Sequence, residues 1–169
     1  MRSSSLLCVV ALLAACSSEP QPAAPTPTAS SPFEELNALD KRTPVPLRSH
    51  MAMHQKHNML AHLVSVQRIT EALAAEDWDA VAAAGAELGT SPEMQMQCDQ
   101  LGRGAPGFTE LGLDFHRRAD AIAEVARAHD GPEVLRALAR TLDACTSCHA
   151  TYRQDVVDAA TWRARTGPS

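Results

Sequence analysis

Two cysteines three positions apart, followed at once by a histidine, stand at Cys145-Thr146-Ser147-Cys148-His149, close to the end of the 169-residue chain. These residue types at this spacing suit covalent attachment of haem. One thiol adds across each vinyl group of the porphyrin, and the adjacent imidazole binds the iron as proximal ligand. Two other chemistries use paired cysteines. A dithiol redox pair follows a strand in a βαβ unit, and no such unit is visible. A zinc site needs a second ligand pair at comparable spacing, and none is present. The motif therefore predicts one haem c per chain, held by Cys145 and Cys148 and ligated by His149.

Other side chains offer weaker chemistry. Met94, Met96 and Cys98 alternate in Met94-Gln95-Met96-Gln97-Cys98, read as a loop. They form a soft set that suits Cu(I), against the plainer reading of Cys98 as a small apolar packing group. His116, on the flank of a later helix, joins them only if the loop folds back. His50, His54 and His57 share one helical face and could chelate an exposed metal, although a solvated face is the preferred reading. Arg117 and Arg118 suit the surface or a haem propionate. No nucleophile–base pair, paired acids or phosphate loop argues for an enzyme. The net charge of −5 comes without a basic stripe, which argues against nucleic acid.

The compartment is read from the first residues. Arg2 leads into the apolar run Leu6 to Leu13, closed by Leu13-Ala14-Ala15-Cys16. A positive start, a short apolar core and a small-residue cleavage site make a signal peptide, too short to span a bilayer. The site resembles a bacterial lipoprotein box. That resemblance implies that Cys16 becomes a lipidated N-terminus and, with Ser17 next, that the protein is anchored in the outer membrane facing the periplasm. Ordinary cleavage near Ala15, giving a soluble periplasmic protein, is the alternative. Residues 1–15 are thus the signal. Residues 16–46, with Pro20, Pro22, Pro25, Pro27 and Pro32, form a Pro/Ala/Ser-rich tether that cannot bury enough apolar surface to fold. Residues 47–160 make one domain, and 161–169 a tail.

Four helical stretches must position the motif. The first runs from about Leu47 to Ala75, with a core face of Ala52, Met59, Leu63, Val66, Ile69 and Leu73. The second, about Asp77 to Leu88, ends at Gly89, Ser91 and Pro92. The third runs from about Phe108 to Ala128. Asp130-Gly131-Pro132 breaks it and opens the fourth, whose face carries Leu135, Leu138, Leu142, Cys145, His149, Tyr152 and Val156. His149 is expected to point inward. No sustained two-residue alternation appears, so strands are not expected. The fold expected is all-α, an antiparallel four-helix bundle with haem on its last helix.

Haem cysteines on the last helix, continued by Tyr152-Arg153 in Cys-Thr-Ser-Cys-His-Ala-Thr-Tyr-Arg, resemble the cytochrome c prime family over roughly residues 47 to 160. The resemblance implies a distal residue on the first helix. Met59 is similar in placement to the methionine ligand of low-spin members, with simple core packing as its other reading, and His62 is the alternative ligand. Tyr152, Arg153 and Gln55 fall in the haem surroundings. Gln55 stands where many members carry arginine, which removes a cation.

Three functions follow. The first is transfer of single electrons between periplasmic or membrane redox proteins through six-coordinate His149/Met59 haem. The second is a five-coordinate module binding nitric oxide or carbon monoxide. The third is a metal-handling or redox-sensing lipoprotein using Cys98. A homodimer through the first two helices is a further implication of the resemblance.

Overall fold

The computed structural model describes residues 31–167. The expected signal segment, Cys16 and the tether up to residue 30 lie outside the described residues. Contacts divide the chain into one unit up to Leu39 and a second from Asp40 onward. In the first, Pro32–Leu39 forms helix α1, with no buried residue. Ser31 caps it: its hydroxyl accepts from the Glu34 amide, and the Glu34 carboxylate returns a bond to the Ser31 amide.

The second unit is mostly helical, with one small sheet. Strand β1 (Thr43–Leu47) precedes helices α2 (Ser49–Ala74), α3 (Trp78–Leu88), α4 (Pro92–Leu101), α5 (Phe108–Ala126) and α6 (Gly131–Thr151). Strand β2 (Tyr152–Val156) and helix α7 (Ala159–Thr166) complete it. The helix starts follow local chemistry. Asp77, Ser91, Asp130 and Asp158 each accept backbone amides of the first turn, and Pro92 and Pro132 occupy positions where a missing amide hydrogen costs nothing.

The helices pack in sequence, α2 on α3, α3 on α5 and α5 on α6. Their shared core holds Ile69, Val81, Leu88, Ile122 and Val134, all fully buried. A second cluster lies where Val45, Leu47, Met51, Ala52, Leu101, Phe108 and Tyr152 meet.

Five expectations are corrected. Two strands exist: β1 and β2 pair in parallel with Thr43 opposite Tyr152 and Leu47 opposite Val156. Pro44 and Pro46 cannot donate to a ladder, which suits a strand bonded on one side only. β1 therefore places residues 43–46, read as tether, inside the folded unit. The last long helix stops at Thr151, so Tyr152 and Val156 do not continue its face, and α7 occupies part of the expected tail. Residues 92–101, including Met94, Met96 and Cys98, are helix rather than loop.

Candidate functional site

The Cys145–Cys148 pair sits near the end of α6 at a spacing that puts both sulfurs on one side of the helix. Both are free thiols and half-buried. Cys145 packs against the core around Ile122, Cys148 against the cluster around Tyr152. Burial raises the pKa of both, and for Cys148 the neighbouring Cys145 adds to it. His149 is exposed, contrary to the inward direction expected, because its position falls on the flank of α6 and not on the side packed against α5. The same flank carries Leu142, 40% exposed, and Leu135, 54% exposed.

The facing wall is α2. Its start and the segment after α6 are tied together: the Gln154 amide donates to the Ala52 carbonyl (3.2 Å) and to Gln55 Oε1 (2.7 Å). At the other end, a Cβ on Gly131 would lie 3.7 Å from Leu73 Cδ1. The two helices therefore run antiparallel with their ends matched, yet they are not among the closely packed pairs. At about 1.5 Å of rise per residue, stepping along both helices from the Gly131–Leu73 contact brings Cys145 level with Met59 and His149 level with Gln55.

Met59 is 38% exposed and Leu63 is 63% exposed, so these two members of the expected core face are not core. The buried residues of α2 are Met51, Ala52, Ser65 and Ile69, on an adjoining stripe that faces α3 and the Tyr152 cluster. What remains between α2 and α6 is an apolar seam. Met59 and Leu63 stand along one wall, and Leu135, Leu142, the cysteine pair and His149 along the other.

Residues at the base of this seam are firmly held. Tyr152 is buried, donates from its hydroxyl to the Pro106 carbonyl (2.6 Å) and meets Phe108 edge to face. Gly107, at φ 82°, has the conformation that glycine adopts freely, and a Cβ there would lie 2.8 Å from the Tyr152 hydroxyl. Arg153 lies 3.6 Å from Asp155, which also binds Arg165 at 2.6 Å. The Arg42 guanidinium donates to the His149 carbonyl at 3.1 Å.

These residues fit a covalently bound haem in donor chemistry and surroundings: two thiols on one helical face, an imidazole beside them, and apolar side chains exposed on both walls at the same level. The other candidates separate. On helix α4, Met94 and Cys98 share one face while Met96, two positions from each, is 64% exposed. Cys98 is buried, with its Sγ 3.1 Å from where a Gly112 Cβ would stand. Burial first, then Asp99 and Cys148, pushes its thiol up to about 11. The soft trio therefore does not converge. His50, His54 and His57 are exposed, and among the described residues no three His, Cys, Asp or Glu side chains gather as a metal cage. Arg118 pairs with Asp114 and Asp143, Arg117 with Asp114.

One grouping was not visible in the sequence. His62, half-buried on α2, stacks on Phe115 and meets His116 edge to face. His116 is 3% exposed, not a flank residue. The signal available was only that His62 and Phe115 each fall on an inward stripe of a separate helix. A groove of about 350 Å³ between α2 and α3, lined by alanines with Arg68 and Glu87 at its rim, lies away from the cysteine pair and holds none of this chemistry. Compared with family models, curated proteins and solved structures, the chain matches none.

Proposed function

We propose that the chain is a c-type cytochrome that passes single electrons between periplasmic or membrane redox partners. The observation that carries this reading is the apolar seam between α2 and α6, with the thiol pair and an imidazole on one wall and a thioether level with them on the other. Haem c, joined through Cys145 and Cys148, supplies an iron that alternates between ferric and ferrous states. His149 and Met59 would hold the iron, His149 from α6 and Met59 from α2, and two protein ligands would suit it to electron transfer rather than to binding a substrate. Leu63, Leu135 and Leu142 exclude water, while Tyr152, Arg153 and Gln55 fix the end of the site through the strand that follows the motif. The α2–α3–α5–α6 order, with α2 and α6 antiparallel, supports an antiparallel four-helix bundle of the cytochrome c prime kind. Lipidation at Cys16 would tether it to the outer membrane.

The test is the visible spectrum of the purified protein, ferric and ferrous, beside a pyridine haemochrome assay. Covalent haem with a sharp low-spin ferrous spectrum, unresponsive to carbon monoxide, is expected. Absence of covalent haem ends the reading, and a broad high-spin spectrum that shifts with carbon monoxide turns it into gas binding. Met59→Ala should convert the iron to high-spin and lower its potential; an unchanged spectrum removes Met59 from the site.

A further inference from the structure

Two histidines stay outside the proposed haem site, His116 buried and His62 half-buried. His116 donates from Nδ1 to the Leu88 carbonyl at 2.6 Å. A carbonyl oxygen only accepts, so Nδ1 carries the proton and Nε2 presents its lone pair, with no hydrogen-bond partner among the described residues. Metal-binding imidazoles are commonly oriented this way, by a carbonyl on the nitrogen opposite the ligating one. His62 is held by its stack on Phe115, with ring centroids 4.9 Å apart and planes at 29°. The His62 and His116 rings stand 5.3 Å apart, centroid to centroid, at 80°, and no hydrogen bond joins them. Two imidazoles bonded to one tetrahedral ion at about 2.0–2.1 Å hold their centroids about 5 Å apart.

We infer that His62 and His116 form a two-imidazole site for a divalent first-row transition ion of the zinc or copper class, separate from the haem. Burial supports it by keeping both rings neutral at pH 7: His62 is pushed down to about 4, with His116 adding to the effect, and His116 is also pushed down. Asp120, whose carboxylate is fixed by the Thr90 amide and hydroxyl (both 2.9 Å), acts electrostatically on His116 and supplies nearby negative charge. No third His, Cys, Asp or Glu joins them among the described residues. Two protein ligands leave the remaining coordination positions to water or another small ligand, unlike the four-ligand shell of a structural site.

The experiment uses chelator-treated holoprotein carrying His50→Gln, His54→Gln and His57→Gln, which removes the exposed histidine face. Zinc is titrated by calorimetry, and the bound ion is examined by zinc-edge X-ray absorption. One zinc per chain with two imidazole ligands is expected. Adding His62→Gln should abolish binding without moving the haem spectrum, and adding His116→Gln should weaken it at least about tenfold. Because His116→Gln also deletes the bond to Leu88, the imidazole count in the parent decides independently of it. Fewer than two imidazoles, no zinc, or zinc binding untouched by His62→Gln overturns the site. Loss of the low-spin spectrum in His62→Gln would assign His62 to the iron and overturn it as well. The zinc count is read whether or not haem is attached, so its failure is distinct from failure of the cytochrome reading.

Discussion

The seam between α3 and α5 and the seam between α2 and α6 are built from similar residues to opposite ends. At the first, a Cβ on Gly85 would come within 3.0 Å of the Ala123 backbone nitrogen and 3.1 Å of Ile122 Cγ2. The helices approach so closely there that only hydrogen fits. Ile122 and Leu88 are fully buried beside it, and interiors packed this tightly lose stability when a single methylene is removed. At the second, Met59, Leu63, Leu135 and Leu142 remain substantially exposed although the helices come near each other at both ends. The first seam uses apolar surface to hold the chain folded. The second carries apolar surface in excess of what folding uses, beside two thiols and an imidazole. On the proposed function, stability and chemistry are separable in this molecule, and substitutions can be sorted by which seam they touch.

The largest effect belongs to the chemical seam. Cys145→Ser with Cys148→Ser should abolish covalent haem entirely, read as loss of the pyridine haemochrome; retained thioether-linked haem would break the division. Next comes the packed seam. Ile122→Ala should cost about 2–5 kcal/mol in urea unfolding while leaving the haem bands in place, and a spectral shift would mean that the two seams are coupled.

Acid should act on the packed side through His62. Its folded pKa lies below the unfolded one (6.5 lowered to about 4), so the unfolded chain binds the proton more readily. The contribution is complete above about pH 6.5 and is lost as pH falls through 4, with a ceiling on the order of 3 kcal/mol. Unfolding measured in chelator at pH 7 and pH 4.5 should show that loss, and His62→Gln should flatten it. The smallest stability effect is expected at Leu63. In the double-serine variant, which holds no haem, Leu63→Ser should change stability by no more than about 0.5 kcal/mol; in the parent it should move the reduction potential. A loss of 2 kcal/mol or more without haem would show that the open seam is packed after all.

Much of the helical framework was legible because its signals are local. Asp77 at the start of α3 and Asp130 with Pro132 before α6 are signals that act within one turn. The Ser91-Pro92 start was itself the available sign of α4, masked by the polar alternation of Met94 to Cys98. The cysteine–histidine spacing was legible for the same reason. What escaped depends on residues far apart. β1 carries two prolines and exists only because β2 lies beside it. Met59 and Leu63 read as core because periodicity reports that a stripe is apolar and says nothing of what covers it. The His62–His116 contact joins two helices, and neither helix announces it.

The parallel strand pair has a kinetic consequence. It joins Thr43 to Tyr152 across about a hundred residues of intervening chain, with Tyr152 three positions past His149. Contacts between such distant positions await the ordering of what lies between, because loop closure is costly before the intervening structure forms. The clasp is therefore expected to close late, and until it does the backbone just past His149 is not yet held against β1. Chain topology in this way makes the ordering of the stretch beside the motif depend on a segment that stands about a hundred residues earlier.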